Sequence, residues 1–124
     1  MAEVKVKEGE ELNGLGKMLK DIIDGNLKNP KKYKAIKKLK GSVVIKETVS
    51  DVSVTLHFKD GEIEIQNDAI EKPDAYMESD FETQSYISSG QLSPTIAMLK
   101  RKVKGKGSLL NLLKLSRSKI MVLD

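Results

Sequence analysis

The run VTLHFKDGEIEI, Val54 to Ile65, decides the fold class. Beginning at Val52, the apolar residues Val54, Leu56 and Phe58 alternate with Ser53, Thr55, His57 and Lys59. That is the period-two pattern of a strand with one buried face. Asp60-Gly61 supplies the turn, because a two-residue type I′ hairpin needs positive φ at both central positions. A turn of that length pairs Lys59 with Glu62, Phe58 with Ile63, His57 with Glu64 and Leu56 with Ile65. Apolar side chains then meet on one face and polar ones on the other. Turn chemistry and strand pattern give the same register.

Upstream, Val43 and Ile45 begin a further strand. Before it, Leu12, Leu15, Met18, Leu19, Ile22 and Ile23 fall on one face of a helix, which Gly25 is expected to end. Asn29-Pro30 opens a second, basic helix, with Asn as cap and Pro at the first helical position. Tyr33, Ile36 and Leu39 face inward and Gly41 stops it. Downstream, residues 74–78 read as a strand. Ser79 to Glu82 form a capping box for a helix running to Gly90, with Phe81, Tyr86 and Ile87 inward. Ser93-Pro94 starts a helix carrying Ile96, Ala97 and Leu99. Residues 101–107 alternate as a strand, and Ser108 caps a leucine-rich helix over 109–115. With 124 residues and 39% hydrophobic content, there is room for one core. A single domain over 1–124 is expected, with a helical front at 9–40 and sheet and helices at 41–124.

Composition removes several function classes. There is no cysteine, so disulfides, thiolate nucleophiles and Cys-ligated metals are excluded. His57 is the single histidine, and it sits mid-strand on the polar face, where Glu64 is its expected partner. No Ser-His-Asp set, enforced carboxylate pair or phosphate-binding glycine loop emerges, since Gly105 and Gly107 lack the required frame. No enzyme activity, metal or cofactor is expected. No apolar run approaches the roughly 20 residues of a spanning helix, and MAEVKVKEGEE has no signal-peptide core. A soluble, cytoplasmic protein is the expectation.

Charge is strongly segregated. Residues 1–41 carry 11 Lys and 6 acids, residues 42–90 carry 3 Lys and 11 acids, and residues 91–124 carry 8 Lys or Arg and one Asp. Either the basic ends pack beside the acidic middle and neutralise it, or they face an anionic partner such as a membrane. Nucleic acid is disfavoured, because three Tyr and two Phe offer few stacking platforms for the lysines at 28–40 and 100–106.

A series of short motifs then matters by its order. It comprises Glu71-Lys-Pro-Asp-Ala75, Asp80-Phe81, Gly90-Gln-Leu-Ser-Pro94, Ile96-Ala-Met98, Lys102-Val-Lys104, Gly107 and the leucines from 109 to 115. With the hairpin upstream, this series resembles the sterol carrier protein 2 (SCP2) family over roughly residues 40–118. The family has a Pro-Asp-Ala strand start, an Asp-led helix, Gly-x-Leu-x-Pro before an Ala-containing helix, a Lys-x-Lys strand with a following Gly, and a leucine-rich last helix. The chain departs from it at Val54, where the family commonly has tryptophan. It departs again at Arg101, where a glycine is usual, and at Gly105, where an apolar residue is usual.

The resemblance implies an α/β (α+β type) fold, a five-stranded, mostly antiparallel sheet covered by helices and enclosing an apolar tunnel. It also implies non-catalytic binding and intracellular transfer of a lipid: fatty acid, acyl-CoA, sterol or isoprenoid. By position, Phe81, Ile87, Leu92, Ile96 and Leu99 would line the tunnel, joined by Leu109, Leu112, Leu113 and Ile120 from the closing C-terminal segment. Peripheral contact with anionic membrane would run through the Lys-rich ends. The alternative is an SCP2-like interaction or regulatory module docking on a partner enzyme through its leucine-rich tail.

Overall fold

The computed structural model describes residues 4–59 and 62–107. The hairpin read from sequence is present as β3 (Val52–Lys59) and β4 (Glu62–Asn67), antiparallel in the expected register from Lys59↔Glu62 to Leu56↔Ile65. The turn residues themselves, 60 and 61, lie outside the described residues. β2 (Gly41–Glu47) pairs antiparallel with β3 on one side and parallel with β5 (Ala75–Ser79) on the other. β6 (Lys104–Gly107) closes that edge antiparallel to β5. A sixth strand, β1 (Val4–Val6), runs parallel to β4 at the opposite edge, giving the order β1-β4-β3-β2-β5-β6. The fold is α/β with a mixed, mainly antiparallel sheet, one strand wider than the five expected. The added strand is three residues long, too short for its Val-Lys-Val alternation to register as a pattern. Val4 is nonetheless buried, and its backbone N–H donates to Asp24 Oδ1 at 2.8 Å.

Two helices cover one face. α1 (Gly14–Leu27) is capped by Asn13, whose side chain accepts from the Gly16 N–H at 2.8 Å. The helix does not stop at Gly25 as expected. Leu27 is core and Asn26 is buried, its Oδ1 accepting from Lys32 Nζ at 2.9 Å, so packing carries the helix a half-turn further. α2 (Pro30–Ile36) has the expected Asn29 cap, and Ile36 and Leu39 are buried with Tyr33 against them. Their apolar side chains meet Val43, Ile45, Val54, Leu56, Phe58, Ile63, Ile65 and Ala75, an aliphatic core with one phenylalanine. Alternation in β3 is weaker than the sequence suggests. Thr55, on the opposite face, is fully buried beneath the crossover from β4 to β5, its hydroxyl donating to the Asp68 carbonyl and accepting from the Ile70 N–H. A buried hydroxyl is tolerated there because both of its roles are filled.

α3 (Phe81–Ser88) and α4 (Pro94–Leu99) follow β5. Asp80, not Ser79, caps α3, its Oδ1 accepting from the Thr83 N–H at 2.7 Å, while Ser79 is the last residue of β5. Ile87, Ala97 and Val103 form a second small cluster, joined to the first through Met77 and flanked by Leu92. Tyr86 is exposed, contrary to the inward position expected for it.

The parallel seam between β2 and β5 starts at a clamp. Asp74 Oδ2 accepts from the backbone N–H of Ser42 at 2.8 Å and from its hydroxyl at 3.3 Å, and the Ser42 hydroxyl accepts from the Asp74 N–H at 3.1 Å. Two glycines make room for it. Gly41, with φ 98°, leaves space that a Cβ would take from the Asp74 carboxylate, and Gly107, with φ 97°, leaves space against the Asp74 carbonyl. Gly41 is therefore a strand-start residue under steric demand and not the helix stop expected of it. Asp74→Ala strands the buried Ser42 donors and should cost about 1–3 kcal/mol in urea unfolding. Gly41→Ala should also destabilise, but less in the Asp74→Ala background, because its clash is with that side chain. Gly107→Ala meets backbone and should show no such relief.

Candidate functional site

At the end of the sheet where β2 finishes and α1 begins lies a cavity of about 520 Å³, lined by Gly14, Leu15, Met18, Glu47, Ser50, Val52 and Phe81. That size falls within the range of small-molecule sites, about 300–1,000 Å³. Leu15 and Met18 come from the first turns of α1, Val52 from the start of β3 and Phe81 from the start of α3. The Phe81 side chain is held at the surface, 56% exposed.

The one charged wall is Glu47, buried at the end of β2. Its carboxylate accepts from the Val49 N–H, the Ser50 N–H and the Ser50 hydroxyl, each at 2.8 Å. These bonds, the Val49 N–H foremost, hold the carboxyl below its ordinary value against the opposing effect of burial, and the Phe81 N–H adds to them. Glu47 thus ties the end of β2 to the β2–β3 turn, and it shares the cavity wall with Phe81, the first residue of α3. Beside it, Lys46 Nζ lies 2.8 Å from Asp51 Oδ1. That bond raises the lysine and lowers the aspartate. At the start of α3, the Thr83 hydroxyl and then its N–H lower Asp80.

The expected lining residues divide. Phe81 lies on the cavity, while Ile87 and Leu92 belong to the second apolar cluster. Ile96 and Leu99 are turned outward, 46% and 78% exposed, against the inward face expected for that helix. Leu109, Leu112, Leu113 and Ile120 lie outside the described residues. Leu15 and Met18 read in sequence as ordinary core positions, and Glu47, Ser50 and Val52 carry no sequence signal that marks a cavity. His57 stands opposite Glu64 in the register, but its Nε2 lies 2.8 Å from Gln66 Oε1 instead. Among the described residues no group of three or more His, Asp or Glu could hold a metal, and no helix is long and apolar enough to cross a membrane.

The architecture defines a class: a mixed-sheet α/β domain with helices packed on the sheet and a largely apolar cavity between them. The chain belongs to the SCP-2 sterol transfer family, which matches residues 19–118. The family is one of lipid binding and transfer in general terms. No curated protein sequence matches the chain. Among solved structures, it is similar to the sterol carrier protein domain 2 of Helicoverpa armigera, with 20% identity and a TM-score of 0.64 over 94% of this chain and 98% of that one. It is also similar to a crystal structure of sterol carrier protein 2, with 15% identity and a TM-score of 0.65 over 86% and 92%. A third is palmitated SCP2L2 from Aedes aegypti, with 19% identity and a TM-score of 0.56 over 66% and 74%.

The Glu47 bonds have a pH signature. A carboxyl lowered in the folded state contributes stability above its unfolded pKa, and that contribution is lost as pH falls through the folded value. The wild type should resist urea less on acidification below about pH 5. Glu47→Gln should be less stable at neutral pH and show a shallower pH dependence, the remaining slope coming from Asp51 and Asp80. A slope equal to wild type would mean that Glu47 is not a source of it.

Proposed function

We propose that the protein binds a lipid non-catalytically in an apolar site that includes the cavity between α1, the β2–β3 turn and α3, and carries it between membranes. Membership of the SCP-2 sterol transfer family carries this reading, and the composition of the cavity wall supports it. Leu15, Met18, Val52 and Phe81 supply apolar contact, and each buried methylene of a ligand contributes about 0.8 kcal/mol. A chain of about sixteen carbons gains on the order of 10 kcal/mol before ordering costs, enough without a directional contact. Methionine at position 18 suits a wall that adapts to different chains. Fatty acids, acyl-CoAs, sterols and isoprenoids are the candidate ligands, and the palmitated state of the Aedes aegypti neighbour fits an acyl chain. Ile87, Leu92 and the C-terminal residues Leu109, Leu112, Leu113 and Ile120 extend the proposed lining, with the last segment as its closure. The chain acts as one domain in the cytoplasm, and its Lys-rich ends meet anionic membrane.

Native mass spectrometry of the purified protein, followed by solvent extraction, tests this reading. A near-stoichiometric lipid is the expected result, or uptake from a panel of fatty acids, acyl-CoAs and polyprenyl lipids if it purifies empty. Because Phe81 is exposed, Phe81→Ser should leave the urea midpoint close to wild type and weaken binding of a C16 ligand about tenfold or more. Leu112→Asp should abolish uptake. A folded Leu112→Asp protein that binds with wild-type affinity would count against closure by the last segment, and failure of the whole panel against lipid carriage.

A further inference from the structure

α4 ends in a left-handed cap whose left-handed residue is an arginine. The N–H groups of Lys102 and Val103 both return to the Ala97 carbonyl, at 2.9 and 3.2 Å, and this closure puts Arg101 in the left-handed region at φ 59°. Glycine is the residue that adopts this conformation without strain. An arginine kept there works against the stability of the turn, and its charge goes into solvent. Strain held in a sparsely populated conformation points to use.

The neighbours of Arg101 share that exposure. Ile96 and Leu99 are three apart on α4, hence on one side of it, and both project outward. Lys100 and Lys102 flank Arg101, all three exposed and none in an ion pair among the described residues. Lys102 lies near enough to Asp80 to help lower it, Lys104 stands opposite Glu78, and Lys106 lies over the Tyr76 ring at 5.9 Å. From Thr83 to Gly107 the chain has no acidic residue at all. α2 differs: Lys31 and Lys34 are exposed while Lys32 is buried against Asn26, and its large apolar residues pack inward, so it can attract an anionic surface without entering it.

We propose that the end of α4 is a membrane-docking point, where Ile96 and Leu99 enter the headgroup region of an anionic bilayer and Lys100, Arg101 and Lys102 contact lipid phosphates. Exposed aliphatic side chains followed directly by cations match a lipid surface, whose interior is apolar and whose face is negative. The proposal rests on the lipid-carrier reading and names where such a carrier would meet its donor membrane.

Flotation with vesicles of phosphatidylcholine, alone or with roughly one part in three phosphatidylserine, tests it on the full chain. The wild type should float with the anionic vesicles and stay behind with the neutral ones. Leu99→Ser should bind about tenfold more weakly. Arg101→Gly should bind about fivefold more weakly and melt about 2–5 °C higher, because the left-handed strain is relieved. That pairing of lower affinity with higher stability is not expected of a merely structural residue. Equal flotation with both vesicle types overturns the proposal, as does wild-type flotation by both variants. So does binding of single-stranded RNA that Arg101→Gly loses and Leu99→Ser keeps, without flotation. A protein that carries lipid but does not float defeats docking alone. One that floats as described yet takes up no lipid upholds docking and defeats the carrier reading.

Discussion

The parallel seam between β2 and β5 is the constraint on which the rest of the structure hangs. Both strands run the same way, so the chain must cross the sheet between β4 and β5, and it does so in residues 68–74 without a helix. So short a crossover needs anchors. Thr55 holds its start through Asp68 and Ile70, and Ser42 holds its end through Asp74. At the far end of β2, Glu47 reaches the turn before β3 and the first residue of α3. One strand therefore sets where β5 begins and where α3 begins. Of the two anchors, Glu47 lies on the cavity wall.

Among the described residues the segregated charges meet at a few points, Lys5 with Glu62, Lys102 near Asp80 and Lys104 opposite Glu78. Among these residues, the pairs Lys17–Glu11 and Lys20–Asp24 lie within the basic front, and Lys46–Asp51 lies within the acidic middle. Lys5–Glu62 joins front to middle, and both its side chains are well exposed, where such pairs contribute little. Many acids of the middle are instead used locally. Asp80 caps a helix, Asp74 clamps a strand start, and Glu47 gathers backbone donors. Lys31 and Lys34 of α2 and the lysines at 100, 102, 104 and 106 are left facing solvent. Carboxylates accept backbone N–H bonds and so find structural work, whereas an ammonium on a long stem is solvated more cheaply than it is buried.

How much of this was legible follows from which signals are local. The β3–β4 register could be read because period, turn length and cross-strand pairing constrain one another within twelve residues. The Asn29-Pro30 cap could be read because capping is settled within one turn. Gly25 misled because its preference is weak against the burial of Asn26 and Leu27 next to it. Ser79 misled because the same short run offered two caps, and strand pairing with Glu47 claimed the serine. The apolar spacing of α4 identified the side of the helix that carries Ile96 and Leu99 but not where that side points. Small Ala97 takes the inward place, so the larger residues are displaced outward.

The proposed site was the least legible part, and its chemistry is the reason. A lipid is held by the same aliphatic contacts that hold a core, so Leu15, Met18 and Val52 look like any other buried positions in sequence. What separates lining from core is missing packing on one side, a property of the assembled elements and not of a motif. The family series succeeds for a different reason. Asp74, Ala75 and Gly107 meet at one clamp, where steric exclusion leaves few alternatives, so those residues identify the fold although they do not touch the cavity. The contrast extends to Arg101, where the family pattern has glycine. The fold tolerates the arginine at the cost of a left-handed strain, so the departure is better explained by what the side chain meets in solvent than by anything it holds together.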